Sequence, residues 1–151
     1  MRYPLKNWFK IKRGYKFGEK TFYSERHLGM DYVVPVGTPV YAPCACEIVK
    51  SGNFPEGGST LHASFRKRGW GKLVMRCMHL SKMSPLGKYK AGDILGYSGN
   101  TGALTKGPHL HIDLSRKKVE VSNFQNFIDP EEFFAGKAGK KGNCPKHQKV
   151  L

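Results

Sequence analysis

From His109 to Leu114, polar and apolar residues alternate without a break. This is the period of a β-strand, in which side chains two apart share a face. His109, His111 and Asp113 therefore fall on one side and Leu110, Ile112 and Leu114 on the other. Much of the chain reads in the same period, interrupted by turns. Tyr32-Val33-Val34 precedes a turn at Pro35-Val36-Gly37, and Val40 to Val49 reads as one strand kinked at Pro43. Ser51 to Gly58 is rich in turn residues and reads as a loop. Thr60 to Phe65 and Lys72 to Leu80 read as the strands of a hairpin, joined by the basic loop Arg66 to Gly71. Pro85 to Gly92 is a turn region and Asp93 to Tyr97 a short strand. Ser98-Gly99-Asn100-Thr101-Gly102 is a tight glycine loop leading to the histidine strand. A short helix is predicted at Asp129 to Phe134: Asp129 caps it, Pro130 takes the first helical position, and Glu131 and Glu132 occupy the first turn.

Composition supports a β-rich reading. With 18 Gly and 9 Pro among 151 residues, the chain is cut into short pieces, and no window carries a long helical period. The length suits one domain with a real core. Residues 1–16 read as a basic and aromatic extension, 17–135 as the domain, and 136–151 as a basic disordered tail. No run approaches the roughly 20 apolar residues that span a bilayer. Met1 to Lys6 hold no apolar stretch of the signal-peptide kind, which leaves the localisation open. The net charge of +15 favours polyanions through long-range attraction, anionic cell-wall polymers among them. No nucleic-acid motif accompanies that charge, so no specific nucleic-acid partner is expected. Cys44, Cys46, Cys77 and Cys144 form neither a zinc-finger spacing nor a disulfide scaffold and read as small buried residues or free thiols.

The chemistry-bearing residues fall in three places: His27 with Asp31, His79, and His109 with His111. Each lies where a predicted strand begins or ends, beside glycine turns, so all could converge at one end of a sheet. Two histidines on one strand face suit a shared metal site, because neutral imidazole is a common ligand for zinc-like ions. A zinc ion that catalyses needs three protein ligands and one open position. His62 has no partner in sequence that gives it a role, and His147 lies in the tail.

Five motifs, in order, resemble those of the lysostaphin-type zinc endopeptidases, which cut the peptide cross-links of bacterial cell walls. His27-Leu28-Gly29-Met30-Asp31 resembles their H-x-G-x-D, and Gly37-Thr38-Pro39-Val40-Tyr41-Ala42 the G-T-P-V-x-A strand that follows. His79-Leu80-Ser81 resembles the central H-L-S, Gly96 to Gly102 the glycine loop, and Gly107-Pro108-His109-Leu110-His111 the terminal G-P-H-L-H. The likeness runs from about residue 17 to 135.

The resemblance implies an all-β fold, mainly an antiparallel sheet crossed by a groove. It implies that His27, Asp31 and His111 bind one zinc ion, while His79 and His109 stand beside the attacking water as the catalytic pair. One of the two would deprotonate the water; the other, or both, would stabilise the oxyanion. The strand period itself, rather than the resemblance, puts Asp113 on the face of His109 and His111, where it either holds a ring N–H behind the metal or is a plain surface carboxylate. The implied activity is hydrolysis of peptidoglycan cross-links by a metalloendopeptidase, in a lysin-like setting. The alternative is an inactive wall-binding or hydrolase-activating module of the same fold. Cys77 stands where the family usually has an aromatic two residues before the central histidine, and is expected to alter a groove wall.

Overall fold

The structure, a computed structural model, describes residues 1–116 and 124–136. The tail expected at 136–151 lies, beyond Gly136, outside the described residues, as do Cys144 and His147. The strands are β1 (Lys12–Arg13), β2 (Gly29–Val33), β3 (Pro39–Tyr41), β4 (Cys46–Phe54), β5 (Gly58–Lys67) and β6 (Gly71–Leu80), followed by β7 (Lys82–Met83), β8 (Gly87–Tyr89), β9 (Ile94–Tyr97), β10 (Leu110–Ser115) and β11 (Phe127–Ile128). One helix, α1 (Pro130–Phe134), follows. Seven strands lie in the order β1-β2-β10-β6-β5-β4-β8, and β11 adds to β10 to make eight. A small second sheet has the order β3-β9-β7. The pairings are antiparallel, so the all-β, mainly antiparallel expectation holds.

The core forms on the face of the large sheet that carries Leu110, Ile112 and Leu114, together with Met30, Tyr32, Leu61, Met75 and Cys77. Val40 of β3 and Leu95 of β9 join the same buried cluster. Trp8 belongs to it as well: its ring centroid lies 4.5 Å from that of Tyr32 and 5.4 Å from that of Phe134. The first residues thus pack on the domain by apolar burial, the dominant favourable term in folding. Helix α1 is capped as its sequence predicts, Asp129 accepting from the Glu131 N–H at 2.9 Å. Glu131 in turn accepts from the Tyr32 hydroxyl at 2.9 Å and from Arg13 Nε at 3.0 Å.

Three local expectations are corrected. Val40 to Val49 is not one kinked strand but parts of β3 and β4, which lie in different sheets. The loop between them is held by main-chain bonds from Arg2 N–H to the Pro43 carbonyl and from Ala42 N–H to the Asp93 carbonyl, both 2.8 Å. These partners are distant in sequence. Ser51 to Phe54 belong to β4, because pairing with β5 (Ser51 with Leu61, Phe54 with Gly58) overrides their turn propensity. Within Pro85 to Gly92, Gly87–Tyr89 forms an edge strand on β4.

Candidate metal centre and active site

Register assembles the centre. His111 of β10 is the cross-strand partner of Asp31 on β2, so both side chains rise from the same face. His27 lies four residues before Asp31. A main-chain bond of 2.8 Å from its N–H to the Glu19 carbonyl ties it down just ahead of the strand. Asp31 Oδ1 lies 2.9 Å from His111 Nδ1 and 3.3 Å from His27 Nε2, and these two nitrogens are 3.1 Å apart. Three ligand atoms at the edge length of a small triangle suit one tetrahedral ion, whose donors at zinc-like bond lengths stand about 3.3–3.5 Å from each other.

The outer ring nitrogens identify what those atoms offer. His27 Nδ1 donates to the Lys16 carbonyl at 3.2 Å, which leaves a lone pair on Nε2. His111 Nε2 donates to Asp113 Oδ2 at 3.0 Å, which leaves Nδ1 as the inner atom. Two lone pairs and a carboxylate thus point at one spot, an arrangement stable only around a positive charge. The electrostatics agree. Burial alone would lower the His111 pKa, but Asp113 and Asp31 outweigh it and raise it to about 9. Burial would raise the pKa of Asp31, but the His111 and His27 rings hold it below the usual carboxylate range. A proton on His111 Nδ1 supplies that positive charge, within hydrogen-bond distance of Asp31 Oδ1 at 2.9 Å and His27 Nε2 at 3.1 Å; a divalent cation would take its place and bind all three atoms. The residues fit a zinc-like ion.

His79 and His109 stand beside this cluster. Their ring centroids are 4.7 Å apart, and His109 Nε2 lies 3.7 Å from Asp31 Oδ1. Both Nδ1–H groups are fixed by loop carbonyls, His79 on Thr101 and His109 on Gly107, each at 2.8 Å. Both rings therefore carry their free lone pair on Nε2. Burial lowers the His79 pKa to about 4, against the raising effect of its Thr101 hydrogen bond, so this ring is neutral at pH 7.

The backbone at His79 explains how it reaches the site. On β6, Arg76 and Met78 line the groove while Cys77 is wholly buried in the core. A regular strand would carry His79 to the core side with Cys77. Instead His79 has φ 64°, in the left-handed region that costs an L-residue roughly 1–2 kcal/mol, and its ring turns to the groove. Its N–H is held by the Gly57 carbonyl at 2.7 Å. The expectation that Cys77 alters a groove wall is corrected for the same reason: its side chain faces the core, and Met78 lines the groove.

The cluster sits at the bottom of a groove of about 970 Å³, with Tyr15, Leu28, Val33 and Leu104 among its walls. The structure thus brings together His27, Asp31, His79, His109 and His111, and sets Asp113 behind His111. His62 is on β5 opposite Arg76 and gives no atom to the centre. Sequence reasoning missed Arg76, whose Nε and Nη2 both donate to Asp113 Oδ2, at 2.9 and 2.7 Å. Its strand position, on the groove face with Met78, was the available signal.

An antiparallel sheet with a metal-suited His-Asp-His triad and two flanking imidazoles at the foot of a groove defines a candidate metallohydrolase. Comparison with known proteins agrees with that class. The model of peptidase family M23 matches residues 25–123. The peptidoglycan DD-endopeptidase ShyA of Vibrio cholerae is 34% identical over 118 residues, covering 75% of this chain and 26% of that protein. Lysostaphin of Staphylococcus simulans is 35% identical over 136 residues, covering 85% of this chain and 26% of its own length. The solved catalytic domain of lysostaphin superposes with a TM-score of 0.70 at 31% identity, covering 84% of this chain and 94% of that domain. A zinc-containing peptidase from Vibrio cholerae gives a TM-score of 0.62 at 27% identity over 75% of this chain and 35% of that one. The chain belongs to peptidase family M23. It spans about a quarter of the length of the curated relatives ShyA and lysostaphin.

Proposed function

We propose that this chain is a zinc-dependent endopeptidase that hydrolyses peptide cross-links of bacterial peptidoglycan, and so acts on the cell wall. The observation that carries the reading is the meeting of two imidazole lone pairs and a carboxylate at one point, with two further histidines beside it at the foot of a groove. His27, Asp31 and His111 would hold one zinc ion. When bound, zinc polarises a carbonyl and brings the pKa of water from about 16 towards about 7. His79 and His109 do the proton work. His79 Nε2, neutral and with its Nδ1–H fixed on Thr101, accepts a hydrogen bond from the attacking water and orients it. His109 Nε2, the nearer of the two to Asp31, takes the water's proton and returns it to the leaving amine. A carboxylate and an amine result. The groove holds the peptide and keeps its scissile bond against these groups.

The test is release of new amino groups from purified peptidoglycan. Cross-link types with glycine bridges and with direct D-alanine to diamino-acid bonds are assayed separately, each with zinc and with a chelator. Zinc-dependent release from at least one wall type is expected, and the responsive wall names the bond. No release from any wall by a protein carrying one zinc per chain would refute the reading and leave a wall-binding module.

A further inference from the structure

Behind the metal centre lies a buried ion pair that the proton chemistry above does not use. Asp113 is wholly buried, and its Oδ1 has no hydrogen-bond partner among the described residues. Everything that compensates its charge acts through Oδ2, which accepts from Arg76 Nε at 2.9 Å, Arg76 Nη2 at 2.7 Å and His111 Nε2 at 3.0 Å. These three residues sit side by side for a reason of register: Arg76 is the cross-strand partner of Asp113, two residues from His111 on β10.

We propose that Arg76 is a positioning residue of the metal centre: it clamps Asp113 so that Asp113 holds the Nε2–H of His111 and aims the Nδ1 lone pair at the ion. This rests on the reading of His111 as a zinc ligand. Without the Arg76 fork, Asp113 would keep only its bond to His111 Nε2 among the described residues, so the carboxylate would be free to turn from the ring and His111 would lose the acceptor that fixes its tautomer. Arg76 suits this task because its planar fork gives two charge-assisted bonds to one oxygen. Outer partners of this kind matter to affinity: their loss typically weakens metal binding 10–100-fold. Among the described residues, His111 is the one groove histidine whose outer N–H rests on a carboxylate; the outer N–H groups of His27, His79 and His109 rest on main-chain carbonyls, with the Thr105 hydroxyl also 3.3 Å from His109 Nδ1.

The experiment measures the zinc dissociation constant of the full chain by competition with a chromophoric chelator, in wild type, Arg76→Gln, Arg76→Lys and Asp113→Asn. Arg76→Gln should bind zinc 10–100-fold more weakly than wild type, and Arg76→Lys, which keeps the charge, should recover most of that loss. A role confined to packing would not be rescued by lysine, whose stem and head differ in shape. Should Arg76→Gln not fold, Asp113→Asn carries the test, since it retains Arg76 and removes the charge and one acceptor oxygen; a weakening of at least tenfold is expected. Wild-type zinc affinity in folded Arg76→Gln or Asp113→Asn would overturn the proposal. A wild-type protein that binds no zinc would instead overturn the metal-site reading beneath it.

Discussion

Replacing His111 by alanine should leave the protein without bound zinc and without hydrolysis, whereas replacing His109 by alanine should leave zinc bound and still reduce hydrolysis by about 10²- to 10⁴-fold. The two residues share a strand face, yet their surroundings divide them. His111 Nδ1 lies 2.9 Å from Asp31 Oδ1 and 3.1 Å from His27 Nε2, so its loss removes one corner of a three-donor site. His109 lies at 3.7 Å from Asp31, outside that triangle, and its Nδ1–H rests on the Gly107 carbonyl rather than on a charged partner. It can lose its ring without opening the site. Removing a positioned acid–base group typically forfeits the quoted range of rate. Metal content measured on each purified variant, beside amino-group release, reads both effects. Zinc lost from the His109 variant and kept by the His111 variant would show that the two roles are exchanged.

Gly29→Ala should destabilise the protein by about 3 kcal/mol, because overpacking at a site that cannot yield costs this much or more. A Cβ at Gly29 would collide with the Ile112 carbonyl oxygen and stand 2.8 Å from Asp113 Cβ. Both are fixed on β10, so β2 and β10 must separate. These two strands carry Asp31 and His111, so the metal site opens as the fold weakens. The melting temperature should fall by roughly 6–12 °C in a domain of this size. Gly107→Ala is the control: its Cβ would meet nothing within 4 Å, and a change within about 0.5 kcal/mol is expected. Equal melting temperatures for Gly29→Ala and wild type would show that β2 and β10 are less closely fixed than the structure has them.

Local pattern gathered His27, Asp31, His79, His109 and His111 as candidates because they lie on or beside predicted strands, and only the family resemblance separated the candidate metal triad His27, Asp31 and His111 from the other two. Alternation from His109 to Leu114 gave His111 and Asp113 a common face, and the residues behind them gave the core face, as observed. The H-x-G-x-D spacing placed His27 and Asp31 where a strand begins without explaining the glycine; the close approach of Gly29 to Ile112 does so. What the sequence did not reveal depends on long-range pairing. Arg76 meets Asp113 only through the register of β6 against β10, which no local pattern contains. The face of Cys77 was taken from its place two residues before the central histidine in the family's pattern; His79, with φ 64°, leaves the regular strand, so its ring and the Cys77 side chain end on opposite faces. The break between β3 and β4 escaped because its ties come from Arg2 and Asp93. At Ser51 to Phe54, turn-forming residues are held in a strand by their partner.

The most direct test of the account is the hydrolysis rate of chelator-stripped protein on a responsive peptidoglycan, followed as zinc is added. No activity is expected without metal, then a linear rise and a break at one zinc per chain, the stoichiometry of a single site made by His27, Asp31 and His111. Full activity in the stripped protein, or a fully loaded protein that releases nothing from any wall, would contradict it.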